Sequence, residues 1–291
     1  MSRGQPRRRV LALLLGYAFG CATPLTAHPG TGIVMDRKGN VFYTDLEQVW
    51  RIAPGGRKTV AVRDVHTHEL CLDADGNLFG EHLWYEGEAS DRWGHRVWRL
   101  SPRGALSDVI HAREGFRKDY SFVRDAEGNM YWADRGSPTR IQKRAPGGEI
   151  SALSECPDCR DVRGMTATAD GTVLFLDAGD LREVSPGGRL RTVARRLSRR
   201  TWTRPHVNKP HALMGIWTDA ARNVYVAVYG AGEVKRVSPG GEVRVVARSR
   251  LPWSPTGGVV TAKGDLWLLE YSFTNAARVR RIARDGRETI Y

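Results

Sequence analysis

The chain repeats one sequence pattern six times, beginning near residue 33 and continuing to its end. Each copy starts with an apolar run and a D-x-x-G-N type turn, as in MDRKGNVFYTD, and continues with a second apolar run and a P-G-G type turn, as in VWRIAPGGRKTV. Glycine suits these turns because it accepts the positive φ that tight hairpins require. Repeats of about 40 residues built from four short strands are typical of propeller blades. The sequence therefore predicts an all-β, six-bladed β-propeller with four antiparallel strands per blade.

The repeat also distinguishes the two faces of the predicted ring. Both turn types lie on one face, so the loops between the second and third strands and the linkers between blades lie on the other. Chain length varies on that second face, where copy two has a predicted loop at residues 83–95 and a long linker spans residues 195–210. Variable loops on a rigid scaffold commonly carry function, so we expect the functional site on this face.

The N-terminus has the features of an export signal. Arg7, Arg8 and Arg9 precede the apolar stretch VLALLLGYAFG, which is too short to span a bilayer, and small residues lead to a cleavage site after Ala27. The sequence predicts a signal peptide at residues 1–27 and a single propeller domain at residues 28–291, exported to the periplasm or the extracellular space with no membrane span after cleavage. Lipoprotein anchoring at Cys21, a twin-arginine route and an uncleaved anchor are the alternatives.

Composition narrows the class of partner. The chain is 41% hydrophobic and 26% charged, which provides enough apolar material for a core. The net charge is +13, and the densest basic run occupies residues 195–200. No nucleic-acid-binding motif accompanies this run, so a solvated linker is favoured over a phosphate-binding surface. We expect a small-molecule ligand or a protein partner and no nucleic acid.

The cysteines predict one local disulfide. Cys156 and Cys159 are close in a predicted linker, and an oxidising compartment favours their pairing. A redox-active pair is less favoured, a zinc site would need two further ligands, and haem attachment is excluded because Arg160 stands where a histidine is required. Cys71 lies in a predicted innermost strand and is interpreted as a small core residue.

Polar side chains converge on the predicted mouth of the tunnel, just before the first strand or just after the second strand of each blade. Imidazoles and carboxylates gathered at one pocket are the usual ligands of a divalent cation, here calcium or zinc. The predicted metal ligands are His68, His82, Asp177 and His211. The remaining predicted pocket residues are Asp45, Trp84, Tyr85, Trp93, Tyr120, Asp134 and Glu270.

Structural roles compete with these assignments. An aspartate that follows a strand commonly bonds neighbouring backbone, which is the favoured interpretation for Asp45, Asp134 and Asp177. His68 and Glu69 fit a functional role and an ordinary tunnel-side role equally well. The aromatic residues of the predicted loop at residues 83–95 either close over a ligand or pack on the rim of the blade.

The alternation P-x-G-apolar-x-D-x-x-G-N-apolar-Tyr, followed by R-apolar-x-P-G-G, resembles the NHL and gluconolactonase/regucalcin class of six-bladed propellers. The resemblance covers the chain after residue 28. It implies hydrolysis of a sugar lactone with one tunnel calcium held partly by a glutamate of blade one. This chain departs from that pattern, because blade one begins HPGTGIVMD and the nearest glutamate is Glu69. The segments around His68 and His211 also resemble the P-H-x-L motifs of the peptidylglycine amidating lyase, although a full third motif is missing.

The leading hypothesis is therefore an exported, metal-dependent hydrolase of a small lactone or ester. In it Glu69 supplies a catalytic carboxylate and Arg163 binds the developing oxyanion. The alternatives are a non-catalytic NHL-type propeller that binds a ligand or protein partner, and a zinc propeller similar to the amidating lyase. Fold alone does not decide between them.

Overall fold

The structure is a computed structural model that describes residues 29–87, 89–115, 119–198 and 212–291. Within these residues, 23 strands form six antiparallel sheets, and five of the sheets contain four strands each. The predicted all-β, six-bladed propeller is confirmed. Four predictions concern residues outside this described part of the chain. They are the signal peptide, Cys21, His211 and part of the linker at residues 195–210.

The strands of each blade follow one another in the chain from the tunnel outward. Blades one and two contain β1 (Ile33–Met35), β2 (Val41–Thr44), β3 (Val49–Ile52), β4 (Lys58–Val62), β5 (Leu70–Leu72), β6 (Leu78–Tyr85), β7 (Trp93–Leu100) and β8 (Leu106–Glu114). Blades three and four contain β9 (Met130–Asp134), β10 (Thr139–Arg144), β11 (Ile150–Cys156), β12 (Val162–Ala167), β13 (Val173–Asp177), β14 (Asp180–Val184) and β15 (Leu190–Ala194). Blades five and six contain β16 (Ile216–Thr218), β17 (Val224–Val228), β18 (Glu233–Val237), β19 (Val243–Arg248), β20 (Trp253–Val260), β21 (Leu266–Ser272), β22 (Ala277–Ile282) and β23 (Glu288–Ile290).

The D-x-x-G-N turn is stabilised by its own aspartate. In blade one, Asp36 Oδ1 accepts hydrogen bonds from the backbone N–H groups of Lys38 at 2.9 Å and Asn40 at 2.8 Å, while Oδ2 accepts one from Asn40 Nδ2 at 2.7 Å. Gly39 has a φ of 80°, which favours glycine at this position. The same aspartate-to-asparagine bonds recur in blades two, three and five, so the repeated motif builds the repeated turn.

Apolar side chains join five of the six interfaces between neighbouring blades. The five apolar clusters of the described residues connect blades one and two, three and four, four and five, five and six, and six and one. The ring closes between blades six and one, where the hydroxyl of Tyr271 donates to the backbone oxygen of Thr44 at 2.9 Å. Within the described residues, the interface between blades two and three has no such cluster, and it is the place where a large cavity opens.

Blade three has an irregular innermost segment. The repeat predicts a strand near residues 121–124, but this segment pairs with β9 through an isolated bridge between Arg124 and Met130 and a hydrogen bond from Tyr131 N to Val123 O at 3.0 Å. The sheet of blade three therefore contains three regular strands. This irregular segment borders the interface between blades two and three.

The predicted loop of blade two is mostly a longer hairpin. β6 extends to Tyr85 and β7 begins at Trp93, so residues 83–85 and 93–95 pair as strands and the turn is confined to residues 86–92. Cross-strand neighbours explain the extension, because Tyr85 lies opposite Trp93 and Trp84 lies opposite Gly94. A Cβ on Gly94 would lie 2.0 Å from the backbone oxygen of Arg113 and 2.5 Å from the Trp84 ring, so this glycine makes room for both β8 and the indole.

Helical structure in the described residues includes a single 3₁₀ turn at Tyr229–Ala231. None of the helical segments in the described part of the chain has the length and apolar character needed to cross a membrane.

Candidate active site at the tunnel mouth

Two cavities meet inside the ring. The innermost strands line a central tunnel of about 640 Å³. A side cavity of about 820 Å³ lies at the interface between blades two and three. Three charged residues line both cavities and therefore stand at their junction, namely Glu69, Arg135 and Arg163.

A glycine pattern explains why the side cavity opens at this interface. The pattern is counted back from the residue that closes the first turn of each blade, which is Gly39 in blade one. Seven positions before it, four blades have glycine (Gly32, Gly164, Gly215 and Gly257). These glycines permit close approach of neighbouring blades, since a Cβ on Gly257 would lie 2.2 Å from the backbone oxygen of Thr31. In blades two and three the same position holds Glu69 and Ser121. Since each of these glycines meets the following blade, Glu69 replaces the close approach between blades two and three, and Ser121 stands at the interface of blades three and four.

Glu69 is paired with a second glutamate, Glu81. Glu81 Oε1 accepts hydrogen bonds from the backbone N–H groups of His68 at 2.8 Å and Glu69 at 3.3 Å, and it lies 3.8 Å from His68 Nδ1. Glu81 thus caps the start of β5 with its carboxylate. Glu81 was not among the predicted site residues, although its position directly before His82 places it in the same region of blade two.

Burial and mutual charge shift both carboxyl groups in the same direction. Burial raises the pKa of Glu81 to about 8, and the negative charge of Glu69 adds to the increase, while the two backbone N–H bonds oppose it. Burial also raises the pKa of Glu69. Protein surrounds Glu69 within the ring, yet its side chain remains exposed to the open tunnel, so solvent there screens part of its charge. The two carboxyl groups interact, so they titrate as a pair.

Positive charge stands around the carboxyl pair. Arg163 donates from Nε to both carboxylate oxygens of Asp161 at 2.8 Å, which leaves the other N–H groups of its guanidinium for a ligand. Arg135 donates from Nε and Nη2 to the backbone oxygen of Val162 at 3.3 and 3.1 Å. The junction therefore combines a base of raised pKa with two held guanidinium groups.

Two further predicted residues line the side cavity, Tyr120 and Asp134. The Tyr120 ring stacks edge-on against Phe122, and its hydroxyl accepts a bond from Arg124 Nη2 at 3.4 Å. Burial raises the pKa of the Tyr120 hydroxyl. Tyr120 thus remains a neutral donor at the cavity wall.

The predicted metal ligands are not brought together. His82 Nδ1 accepts the backbone N–H of His66 at 3.0 Å, and burial, aided by the charges of Arg96 and His66, lowers its pKa. Neutral His82 therefore carries its proton on Nε2 and has no nitrogen lone pair left for a metal. In this tautomer His82 offers no nitrogen to a metal, and its role as a ligand stays a prediction that metal analysis tests.

Asp177 is also committed to protein partners. Its Oδ1 accepts the backbone N–H groups of Arg160 and Asp161, both at 2.8 Å, and its Oδ2 lies 3.3 Å from Arg182 Nη1. Among the residues that the structure describes, no three His, Cys, Asp or Glu side chains are grouped so that they could hold a metal ion. The donor set therefore does not fit the divalent cation that the resemblance implies.

Other predicted pocket residues have structural roles. Asp45 accepts backbone N–H groups of its own turn and the indole N–H of Trp50 at 2.6 Å. Glu270 is fully buried and bridges Arg278 at 2.7 Å and Arg280 at 2.9 Å, away from both cavities. These two residues stabilise their blades and do not form the pocket.

The predicted aromatic residues of blade two lie on the extended hairpin and line neither cavity. Trp84 packs over Gly94, while the side chains of Tyr85 and Trp93 are 56% and 40% exposed at the tip. They do not close over the tunnel mouth, because regular strand pairing directs them along the hairpin.

The cysteines occupy two environments. Cys156, at the end of β11, and Cys159 form a disulfide bond in the structure. Cys71 is half-buried and lines the tunnel, which differs from the expected core position. Burial raises the pKa of its thiol to about 12, so the tunnel thiol stays protonated at neutral pH.

Comparisons with known proteins identify the fold. No model of a protein family and no curated protein sequence matches the chain. Among solved structures, virginiamycin B lyase from Staphylococcus aureus is 16% identical with a TM-score of 0.53, covering 90% of this chain and 84% of that chain. Regucalcin from Agrobacterium tumefaciens, described as a calcium-binding protein, is 16% identical with a TM-score of 0.53, covering 85% and 83%. A gluconolactonase from Xanthomonas campestris is 11% identical with a TM-score of 0.52, covering 82% and 81%. The chain thus has the six-bladed propeller fold seen in gluconolactonase, regucalcin-like and virginiamycin B lyase structures.

Proposed function

We propose that the protein is a gluconolactonase-like hydrolase that opens small lactones or esters at the junction of the tunnel and the side cavity. The observation that carries the proposal is the placement of Glu69, Arg135 and Arg163 on both cavities, with Glu81 coupled to Glu69. A general base near an oxyanion-binding guanidinium is the minimum needed for ester hydrolysis. Gluconolactonases among the solved structures of the same fold support this choice of reaction.

In the proposed reaction, the ionised carboxylate of Glu69 takes a proton from water as the water oxygen bonds to the ester carbonyl carbon. The carbonyl oxygen gains negative charge, which Arg163 and Arg135 stabilise through N–H groups not used by their protein partners. The tetrahedral species then collapses, the ring C–O bond breaks, and the departing alkoxide takes the proton back from Glu69. The product is an open-chain hydroxy acid, whose carboxylate the same arginines attract.

Glu81 has a positioning role in this scheme. Its carboxylate is held by the N–H groups of His68 and Glu69, so it fixes the start of β5 and places a second negative group beside the base. Once Glu81 ionises, its charge makes Glu69 a stronger base, so this effect grows as the pH approaches the raised pKa of Glu81. The scheme routes no step through a metal, because the described ligands do not form a cation site.

The natural location of the reaction is also part of the proposal. We place the mature protein outside the cytoplasm, on the basis of the arginine-rich and apolar leader at residues 1–27. Mass spectrometry of the protein from a bacterial host should find His28 as its first residue in a periplasmic or secreted fraction. A full-length chain in the cytosolic fraction would contradict this location.

The function is tested with a panel of five- and six-membered sugar lactones in a pH-stat assay. Wild type should hydrolyse at least one lactone, and E69Q should lower kcat by about a hundredfold or more. The matched control is E149Q, an exposed glutamate in a turn of blade three, which should retain full activity. Equal rates for E69Q and wild type would refute the assignment of the base.

A non-catalytic role is the second candidate, and one observation favours it. Tyr85 and Trp93 form an exposed aromatic pair on the long hairpin of blade two, a composition common at protein interfaces. Wild type that binds hydroxy acids in the tunnel but hydrolyses no lactone would favour a binding propeller with a protein partner.

A further inference from the structure

A separate cavity lies on the opposite face of the ring, beneath the turns. It has a volume of about 720 Å³ and is placed between blades one and two. One part of its wall is apolar, formed by Met35, Phe42, Val60, Leu72, Leu78 and Leu100, and the rest is polar or charged. This volume is in the range of pockets that hold small organic ligands. The cavity belongs to the face with uniform turns, which the sequence analysis did not associate with function.

One charged side chain enters this cavity without a protein partner. Arg51 of β3 lines the cavity, and its Nε is sealed from solvent while donating to no atom of the described residues. Because Nε is sealed within the protein while the residue is only half-buried, a ligand in the cavity meets the guanidinium at its terminal Nη groups, for which a carboxylate is the matching acceptor.

The repeat shows what Arg51 lacks. Arg51 pairs across its hairpin with Phe42, and the equivalent Arg236 of blade five pairs with Tyr225, whose hydroxyl interacts with that arginine. In blade six the equivalent Arg281 binds Asp265 at 2.6 Å. Phe42 has no hydroxyl to offer, so the ligand of Arg51 must come from outside the blade.

The charges at the rim favour an anion as well. Arg37, Lys38 and Arg103 line the opening of the cavity. Asp36 and Asp73 lie in the first turns of blades one and two. Their carboxylate oxygens accept hydrogen bonds from backbone N–H groups and from the asparagine side chain of the same turn. Asp75 lines the cavity as well, so four cationic side chains, with Arg51 among them, stand against three carboxylates and leave a small positive excess.

We propose that this cavity binds an amphipathic carboxylate, with its apolar body among the leucine, valine and phenylalanine side chains and its carboxylate on Arg51. The site does not depend on the hydrolase proposal, since Met35 and Leu72 also line the tunnel but Glu69, Arg135 and Arg163 do not line this cavity. The ligand class follows from the combination of an apolar wall with one unpartnered guanidinium.

Isothermal titration with octanoate tests the site. Wild type should bind octanoate at least about tenfold more tightly than octan-1-ol, because only the acid supplies the anion for Arg51. R51M should weaken octanoate binding by about tenfold or more. The matched control is R99M, which changes the equivalent arginine of blade two, also paired with a phenylalanine but exposed to solvent. R99M and R163M should both bind octanoate as wild type does.

Two outcomes would overturn the proposal. One is equal octanoate affinity for R51M and R99M, and the other is equal affinity of wild type for octanoate and octan-1-ol. Thermal denaturation without ligand provides a separate measurement that does not depend on finding the natural ligand. R51M should melt at or above the wild-type temperature, since methionine removes a buried donor without an acceptor. A clear loss of stability in R51M would show that Arg51 serves the fold and not a ligand.

Discussion

Replacing Glu81 by glutamine should change how stability depends on pH. The pKa of Glu81 rises on folding from its usual value near 4.5 to about 8. The folded protein therefore holds a proton that the unfolded chain releases, and the free energy of unfolding falls as pH increases between those two values. Glutamine keeps an oxygen to accept the backbone N–H groups of His68 and Glu69 but has no proton to lose. E81Q should consequently escape this loss of stability.

The size of the effect follows from the same geometry. Each pKa unit corresponds to about 1.4 kcal/mol, so the full increase sets a ceiling of about 5 kcal/mol. Solvent in the tunnel screens the charge of Glu69, so we expect about 2 kcal/mol of this ceiling to appear in the measured free energy of unfolding. For a chain of this length, that corresponds to about 4 °C in melting temperature.

Differential scanning calorimetry measures this dependence directly. Wild type and E81Q should melt together at about pH 5, and E81Q should melt about 4 °C higher at about pH 9. E149Q, which changes an exposed turn glutamate, should follow wild type at every pH. If wild type instead gains stability relative to E81Q as pH rises, the backbone bonds outweigh burial at this carboxylate and the reasoning is refuted.

Three further changes test the fold and the site. G257A should lower the melting temperature by several degrees, because the new Cβ would lie 2.2 Å from Thr31 O at the closure of the ring, while G55A, with open space around it, should be neutral. E270A should cost about 3 kcal/mol in calorimetry, because it removes a carboxylate from buried Arg280, which keeps only Glu288, and from half-buried Arg278, and a loss below about 1 kcal/mol would contradict the buried network. H82A should leave the divalent-metal content of the purified protein unchanged in elemental analysis, because Nδ1 already accepts a backbone hydrogen bond; loss of a bound metal equivalent would restore His82 as a ligand.

The fold could be predicted because its local signals agree with one another. The aspartate and the glycine of the repeated turn motif are also the residues that shape the turn in the structure. In blade one, Asp36 accepts a backbone hydrogen bond within the turn and Gly39 adopts the positive φ. The departures come from contacts between segments. The longer hairpin of blade two depends on Trp84 packing over Gly94, and sequence spacing alone does not indicate that pair.

The site could be predicted only in part. Glu69 and Arg163 do line the tunnel. Asp177 and Glu270 instead pair with arginines of neighbouring strands, and the positions of strand ends in the sequence do not indicate those partners. The glycine pattern was the more informative signal, since it marks Glu69 as the residue that replaces a close backbone approach. The residue type at a strand end indicates which chemistry is possible. The hydrogen-bond and ion-pair partners of that side chain decide whether it is available to a ligand.

The pH dependence of lactone hydrolysis tests the central claim most directly. We expect kcat/KM of wild type, corrected for spontaneous hydrolysis, to rise with pH through a midpoint above the ordinary range of glutamate, because protein surrounds the base inside the ring and a second carboxyl group lies beside it. E81Q should move that midpoint about one pH unit lower, since glutamine removes the neighbouring charge. An identical midpoint in wild type and E81Q, or a rate in E69Q equal to that of wild type, would contradict the coupled pair of Glu69 and Glu81 as the catalytic base.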